Sequence, residues 1–222
     1  MSCNFDQLKT LLRDKGYPEA AEHAESIRWK LVQARYYSKL SKEKDFSGFL
    51  ATFTGNELLG HDPQLQDSLL QCEAHTMCLA QIVHSLGDLT GQLVNKSVLQ
   101  REGRQIQREV FYLSNVVQEL DRANVAACTE ISDLLKDFKD STEFQYLTAF
   151  VNTIKHRSLV DSDQAGHYSV TGDNHEGLRF KEFEYKSDTF DAVFAEVIYQ
   201  NYLDTLEQYL CAVVEKLIEV MT

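Results

Sequence analysis

The chain has 222 residues, 43% of them hydrophobic, which is enough to bury a sizeable core, and it reads as a single domain. A formal net charge of −12 with a pI near 5.0 excludes a broad DNA-binding or RNA-binding surface, because the long-range field repels polyanions and leaves room only for a local basic pocket. Two prolines and ten glycines are too few turn formers for a many-stranded sheet, so the class is mainly α.

Residues 4 to 15 predict a short amphipathic helix, with Phe5, Leu8, Leu11 and Leu12 at helical spacing and Gly16 as its stop. Pro18 suits the first turn of a second helix carrying Ile27, Leu31, Ala34 and Tyr37 on one stripe. Residues 45 to 61, DFSGFLATFTGNELLGH, read as a packed connection with one short helix. Asp62 and Pro63 then open a central helix reaching about Val98, apolar over more than half its circumference and so enclosed by neighbours. Gly103 breaks it, and helices follow over about 106 to 122 and 126 to 139.

Asp140-Ser141-Thr142-Glu143 resembles a capping box and opens a helix that ends near Arg157. Residues 159 to 188 change to β-prone character around TGDN and predict one small hairpin, with His167–Val170 and Leu178–Tyr185 as its strands. Ser187 or Asp188 then caps a long final helix over 189 to 221. The expected architecture is an up-and-down helical bundle with a β-hairpin insertion before the long C-terminal helix.

Five cysteines, Cys3, Cys72, Cys78, Cys128 and Cys211, are odd in number, scattered and never in CxxC spacing. They predict reduced, mostly buried thiols, with neither a disulfide framework nor a thiolate zinc site. No basic segment followed by an apolar one opens the chain, and no apolar run is long enough to span a bilayer, so a soluble cytoplasmic protein is expected. No glycine-rich phosphate loop and no nucleophile elbow occurs, and no cofactor is implied.

Polar side chains concentrate in two places. On the helix opened by Ser141, Phe144, Leu147, Val151, Ile154 and Ser158 form one stripe, Asn152 and His156 stack beside it, and Lys155 falls inside the apolar arc. On the central helix His84 and Asp88, also four apart, share an edge with Asn95, and Gly87 and Gly91 nearby would admit another helix backbone. Facing each other, the two edges would gather two imidazoles, a carboxylate and an amide for acid-base work, with Lys155 and Arg157 close by. The bland reading is that these are satisfied polar groups at helix contacts and ordinary surface cations. His84, Asp88 and His156 offer three ligand types for a metal, but the paired Glu-x-x-His pattern of helical metal sites is missing, and no metal is expected.

The stretches AQIVHSLGDLTGQLVN (80 to 95) and FQYLTAFVNTIKHRSLV (144 to 160) resemble the HEPN-like superfamily of bacterial helical-bundle proteins, in particular its branch with an N-x-x-K-H motif. The resemblance spans about residues 64 to 220 in helix order, and the second motif is the specific one. It implies an all-helical bundle, a homodimer, and a setting in bacterial defence or mobile elements. Active HEPN ribonucleases carry an arginine, usually a polar residue, a short spacer and a histidine, and two such motifs meet across a dimer to cut RNA. Asn152 and His156 match the polar and histidine positions, while Val151 stands at the arginine position. The resemblance therefore implies binding of RNA or a nucleotide phosphate by Asn152, Lys155 and His156, aided by His84, Asp88 and Arg157, in a degenerate or atypical ribonuclease. The alternative is a noncatalytic dimeric protein-interaction module whose polar cluster is structural.

Overall fold

The computed structural model describes residues 3–44, 63–107, 112–167 and 175–222. It is mainly helical, with a small antiparallel β region ahead of the last long helix. The connection expected over 45 to 61 and the TGDN turn lie outside the described residues.

Helix α1 (Phe5–Asp14) begins where the Asn4 side-chain oxygen accepts a hydrogen bond from the Gln7 backbone N–H at 3.3 Å. Gly16 ends the turn at φ +85°, a conformation that a side chain would strain. Helices α2 (Pro18–Lys42) and α3 (Pro63–Val94) both open on proline, whose missing N–H has no helical partner to lose at that position. α3 runs on through a π-helical turn, Asn95–Leu99, before Gly103 at φ +67° closes it.

Helices α4 (Leu113–Ala123) and α5 (Ala126–Asp140) are joined by left-handed Asn124. α4 starts at Leu113 rather than near 106, because residues 104–107 leave the helical path. Ser141 caps α6 (Thr142–His156), its hydroxyl accepting from the Phe144 N–H at 3.2 Å, as the cap sequence requires.

The β region departs from the single expected hairpin. Strands β1 (Ser162–His167) and β2 (His175–Phe180) pair from Ser162↔Phe180 to His167↔His175. Asp163 and Arg179 face each other in that register and form a two-pronged ion pair at 2.9 and 3.1 Å. The stretch read as one strand over 178–185 breaks at Lys181-Glu182. Its second half becomes β3 (Phe183–Tyr185), which pairs with β4 (Asp188–Phe190) as a separate sheet. β5 (Val193–Phe194) adds to the free edge of β2. Strand pairing thus occupies the residues expected to start the final helix, which begins instead at α7 (Ala195–Val197), passes a second π turn at Ile198–Tyr202 and continues as α8 (Leu203–Met221).

The residues sort into two compact units: 1–32, 82–145 and 204–222 in one, 33–81 and 146–203 in the other. The first has an aliphatic core including Leu8, Leu12, Ile27, Leu86, Leu93, Leu120 and Ile131. Its surface is tied by ion pairs such as Lys9–Glu25 at 2.8 Å. The Arg28 and Lys9 hydrogen bonds to Glu25 hold its carboxyl down at about 2. Gly87 accepts a ring rather than the expected helix backbone, since a Cβ there would lie 2.6 Å from Cζ of Phe144.

One cysteine expectation is overturned in this unit, where Cys3 and Cys211 form a disulfide across a sequence separation of 208. Cys72 and Cys128 are the buried thiols expected, and Cys78 is an exposed one. Burial raises the Cys72 thiol to about 11, so it stays protonated and inert at neutral pH.

The second unit has an aromatic core. The Phe150 ring lies 4.8 Å from Phe180 and 6.1 Å from both Tyr146 and Phe183. Tyr146 in turn meets Phe183, Phe190 and Tyr202 edge-on. Burial pushes the Tyr146 phenol upward, which keeps it neutral.

Candidate functional site

The N-x-x-K-H motif occupies the last turn of α6. Val151, which the resemblance would set at the arginine position, is fully buried on the apolar face of α6. Asn152 is half-buried and donates its side-chain N–H to the Thr148 carbonyl at 2.8 Å, one turn back on its own helix. Its amide is satisfied locally and is not directed at His156.

Lys155, His156 and Arg157 are all exposed. Lys155 therefore escapes the apolar arc in which the helical wheel placed it, one residue before α6 ends. Among the described residues neither Lys155 nor His156 has an ion-pair partner, and cations at a helix C-terminus are favoured by the carbonyl dipoles there.

Arg157 is more constrained. Its guanidinium lies 5.4 Å from the Tyr185 ring and donates to the Glu184 carbonyl at 3.5 Å. Lys186 places its ammonium 5.3 Å from the same ring. Lys186 sits in the two-residue turn between β3 and β4 with φ 58°, where glycine or asparagine would be less strained. Arg157, Tyr185 and Lys186 thus form a local basic and aromatic patch, with exposed Lys155 and His156 just before Arg157 in the chain. Tyr185 and Lys186 were not recognisable in the sequence, since their stretch reads as continuous strand and the turn at Lys186-Ser187 lacks glycine.

His84 and Asp88 belong to the first unit, and Lys155, His156, Arg157, Tyr185 and Lys186 to the second. The His84 ring stacks parallel to Phe144, with centroids 6.2 Å apart, in the first turn of α6. His84, Asp88 and His156 form no metal-ligand cluster among the described residues.

Asn95 has a different role from the one its position on the His84 edge suggested. It is buried, and it clamps the backbone of Ile106 by accepting from the N–H at 2.8 Å and donating to the carbonyl at 3.1 Å. This clamp fixes the segment after Gly103 as one wall of a cavity of about 520 Å³, lined also by Arg104, Asn115, Gln118, Glu119 and Arg122. Glu119 pairs with both guanidiniums, so a small anion entering there would compete with a resident carboxylate. Asn95→Ala should lower stability by about 1–3 kcal/mol in urea titrations and speed hydrogen exchange at the Ile106 amide. Asn95→Asp should be at least as harmful, because it sets a carboxylate oxygen against the Ile106 carbonyl.

No family model matches the chain, and neither a curated protein nor a solved structure matches it. Among the described residues no helix is long and apolar enough to cross a membrane.

Proposed function

We propose that the chain is a degenerate HEPN-like protein that binds RNA or a nucleotide phosphate at the C-terminal end of α6 without cutting it. The observation that carries this reading is the basic patch of exposed Arg157 and Lys186 around half-buried Tyr185, with exposed Lys155 two residues before Arg157, a local cationic site on a chain of net charge −12. Cations neutralise phosphates, and an aromatic ring offers a base a stacking surface. Loss of cleavage is supported by buried Val151 at the arginine position and by an exposed His156 with no described carboxylate to orient it.

The test is fluorescence anisotropy with a short single-stranded RNA at several salt concentrations. The double variant Lys155→Glu, Arg157→Glu should weaken binding at least about tenfold and flatten the salt dependence by roughly 0.7 per lost phosphate contact. His156→Ala should change affinity only about twofold, the loss of one exposed hydrogen bond. Cutting of the RNA that disappears in His156→Ala would overturn the noncatalytic part of the reading, and equal affinity of the double variant would overturn the site.

A second reading, a noncatalytic dimeric interaction module, is favoured by a separate observation. Trp29 and Val32 are exposed by 54% and 46% and form an apolar stripe one turn long on α2. Such a stripe offers an apolar seam to a second copy. Sedimentation of wild type and Trp29→Glu decides it, with a dimer converted to a monomer supporting this reading.

A further inference from the structure

The register of β1 and β2 brings together two histidines that no sequence spacing connects. His167 and His175 are the last paired residues of the two strands, so their side chains leave the same face of the sheet. Directly opposite residues of an antiparallel pair have Cβ atoms about 4.5–5.5 Å apart. The same face carries the Asp163–Arg179 ion pair and, between it and the histidines, the small pair Ala165↔Gly177. The other face carries Leu178 and Phe180, both buried, which leaves the histidines on the outward side.

His175 is the fixed member of the pair. Its Nδ1 lies 3.3 Å from Oε2 of Glu196 on α7, and the other oxygen of that carboxylate accepts from the Gln200 side chain at 2.9 Å. Phe194 stacks on the ring with centroids 5.4 Å apart. Phe194 is the β5 partner of Arg179, and it reaches His175 across Gly177, which has no side chain to block the way. A carboxylate only accepts, so it keeps the proton on Nδ1 and leaves the Nε2 lone pair free. That is how a carboxylate orients a metal-ligating imidazole. His167 is exposed and supplies a second imidazole that can turn to meet the first.

A metal ion about 2.1 Å from each nitrogen needs the two Nε2 atoms roughly 3.0–3.4 Å apart, within reach of imidazoles on neighbouring strands. Among the described residues no further protein donor closes a three-ligand set with this pair. Water therefore completes the shell, which is not the closed shell of structural zinc and suits the tetragonal nitrogen and oxygen shells of Ni²⁺ and Cu²⁺. A chain of net charge −12 draws cations, and the arginine on this face is already answered by Asp163.

We infer that His167 and His175 chelate one divalent ion of the nickel–copper class through Nε2, with Glu196 as the positioning residue behind His175. These residues all belong to the second unit, and the site does not rest on the phosphate-binding reading of the α6 patch.

The experiment uses the full chain without reductant, its exposed Cys78 first alkylated so that this thiol does not compete. Ni²⁺ alone is the probe, titrated by calorimetry. Expected is one bound equivalent, with affinity at least about tenfold tighter than in His167→Ala or His175→Ala, each of which breaks the chelate. His167 is exposed, so its variant should melt as wild type does. Glu196→Ala should weaken binding about tenfold. In the metal-free protein it should also remove the Nδ1–H tautomer of His175 from the ¹⁵N spectrum. His23→Ala, on α2 in the first unit, should bind as wild type does. Failure of wild type to take up one equivalent would overturn the inference. So would unchanged affinity in either histidine variant, since the ion would then lie on other residues. A wild-type His175 carrying its proton on Nε2 would overturn the role of Glu196.

Discussion

Phe150→Ala should lower stability by about 3–5 kcal/mol, the range for deleting a fully buried aromatic ring. The ring has no exposed surface and is in contact distance of Phe180, Tyr146 and Phe183, which together close the core of the unit that carries the α6 patch. Removing it opens a cavity whose aromatic walls cannot collapse onto a methyl group, so the packing loss adds to the transfer loss. For a chain of this length each kcal/mol corresponds to roughly 2–4 °C, which predicts a melting temperature lower by about 6–20 °C. Phe150→Leu refills most of the volume and should lose mainly the ring–ring preference, about 0.5–1.5 kcal/mol per pair. Thermal and urea unfolding of both variants checks this, with near-ultraviolet circular dichroism reporting the tyrosines of the cluster. A loss below about 1 kcal/mol for the alanine variant would mean that these rings are not packed as described.

The sequence made the helices legible because their signals are local. Proline at the first position of α2 and α3, Ser141 ahead of α6, and Gly16 and Gly103 after α1 and the π turn each act within one turn of the residue itself. The β region was less legible. Its residues are β-prone throughout, but the break at Lys181-Glu182 and the glycine-free turn at Lys186 depend on what the strands pair with. The start of the last helix moved to Ala195 for the same reason, since Asp188 is a good cap in isolation and is taken instead by pairing with Tyr185.

Helical spacing placed Asn152 and His156 on one edge correctly, but a wheel carries no information about where a helix ends or which neighbour lies beside each turn. That is why Lys155 looked buried and is exposed. Asn95 shows the same limit, since nothing local announces that its amide will hold the backbone of Ile106. Cysteine spacing failed outright for Cys3 and Cys211, because a pairing across 208 residues leaves no local pattern.

Reducing that disulfide, or replacing Cys3 by serine, should produce the second large effect. Closing a loop of 208 residues in the unfolded chain removes conformational entropy worth about 5 kcal/mol at 25 °C in the chain-entropy model. Whole-domain stabilities are about 5–15 kcal/mol, so the bond accounts for a large share. The folded state loses less, since Phe5, Leu8 and Leu12 keep α1 buried without the clasp. Cys3 itself is partly exposed, so serine there removes the bond with little change in packing.

Oxidised wild type, denatured without reductant, should show three reactive thiols, Cys72, Cys78 and Cys128. Five thiols should appear after reduction. Its melting temperature should fall by about 10–20 °C on addition of a phosphine, at roughly 2–4 °C per kcal/mol. That of Cys3→Ser should begin at the lower value and not respond. Five reactive thiols in protein never exposed to reductant would show that the two sulfurs are not bonded. An unchanged melting temperature after reduction would show that the chain ends are held by packing alone.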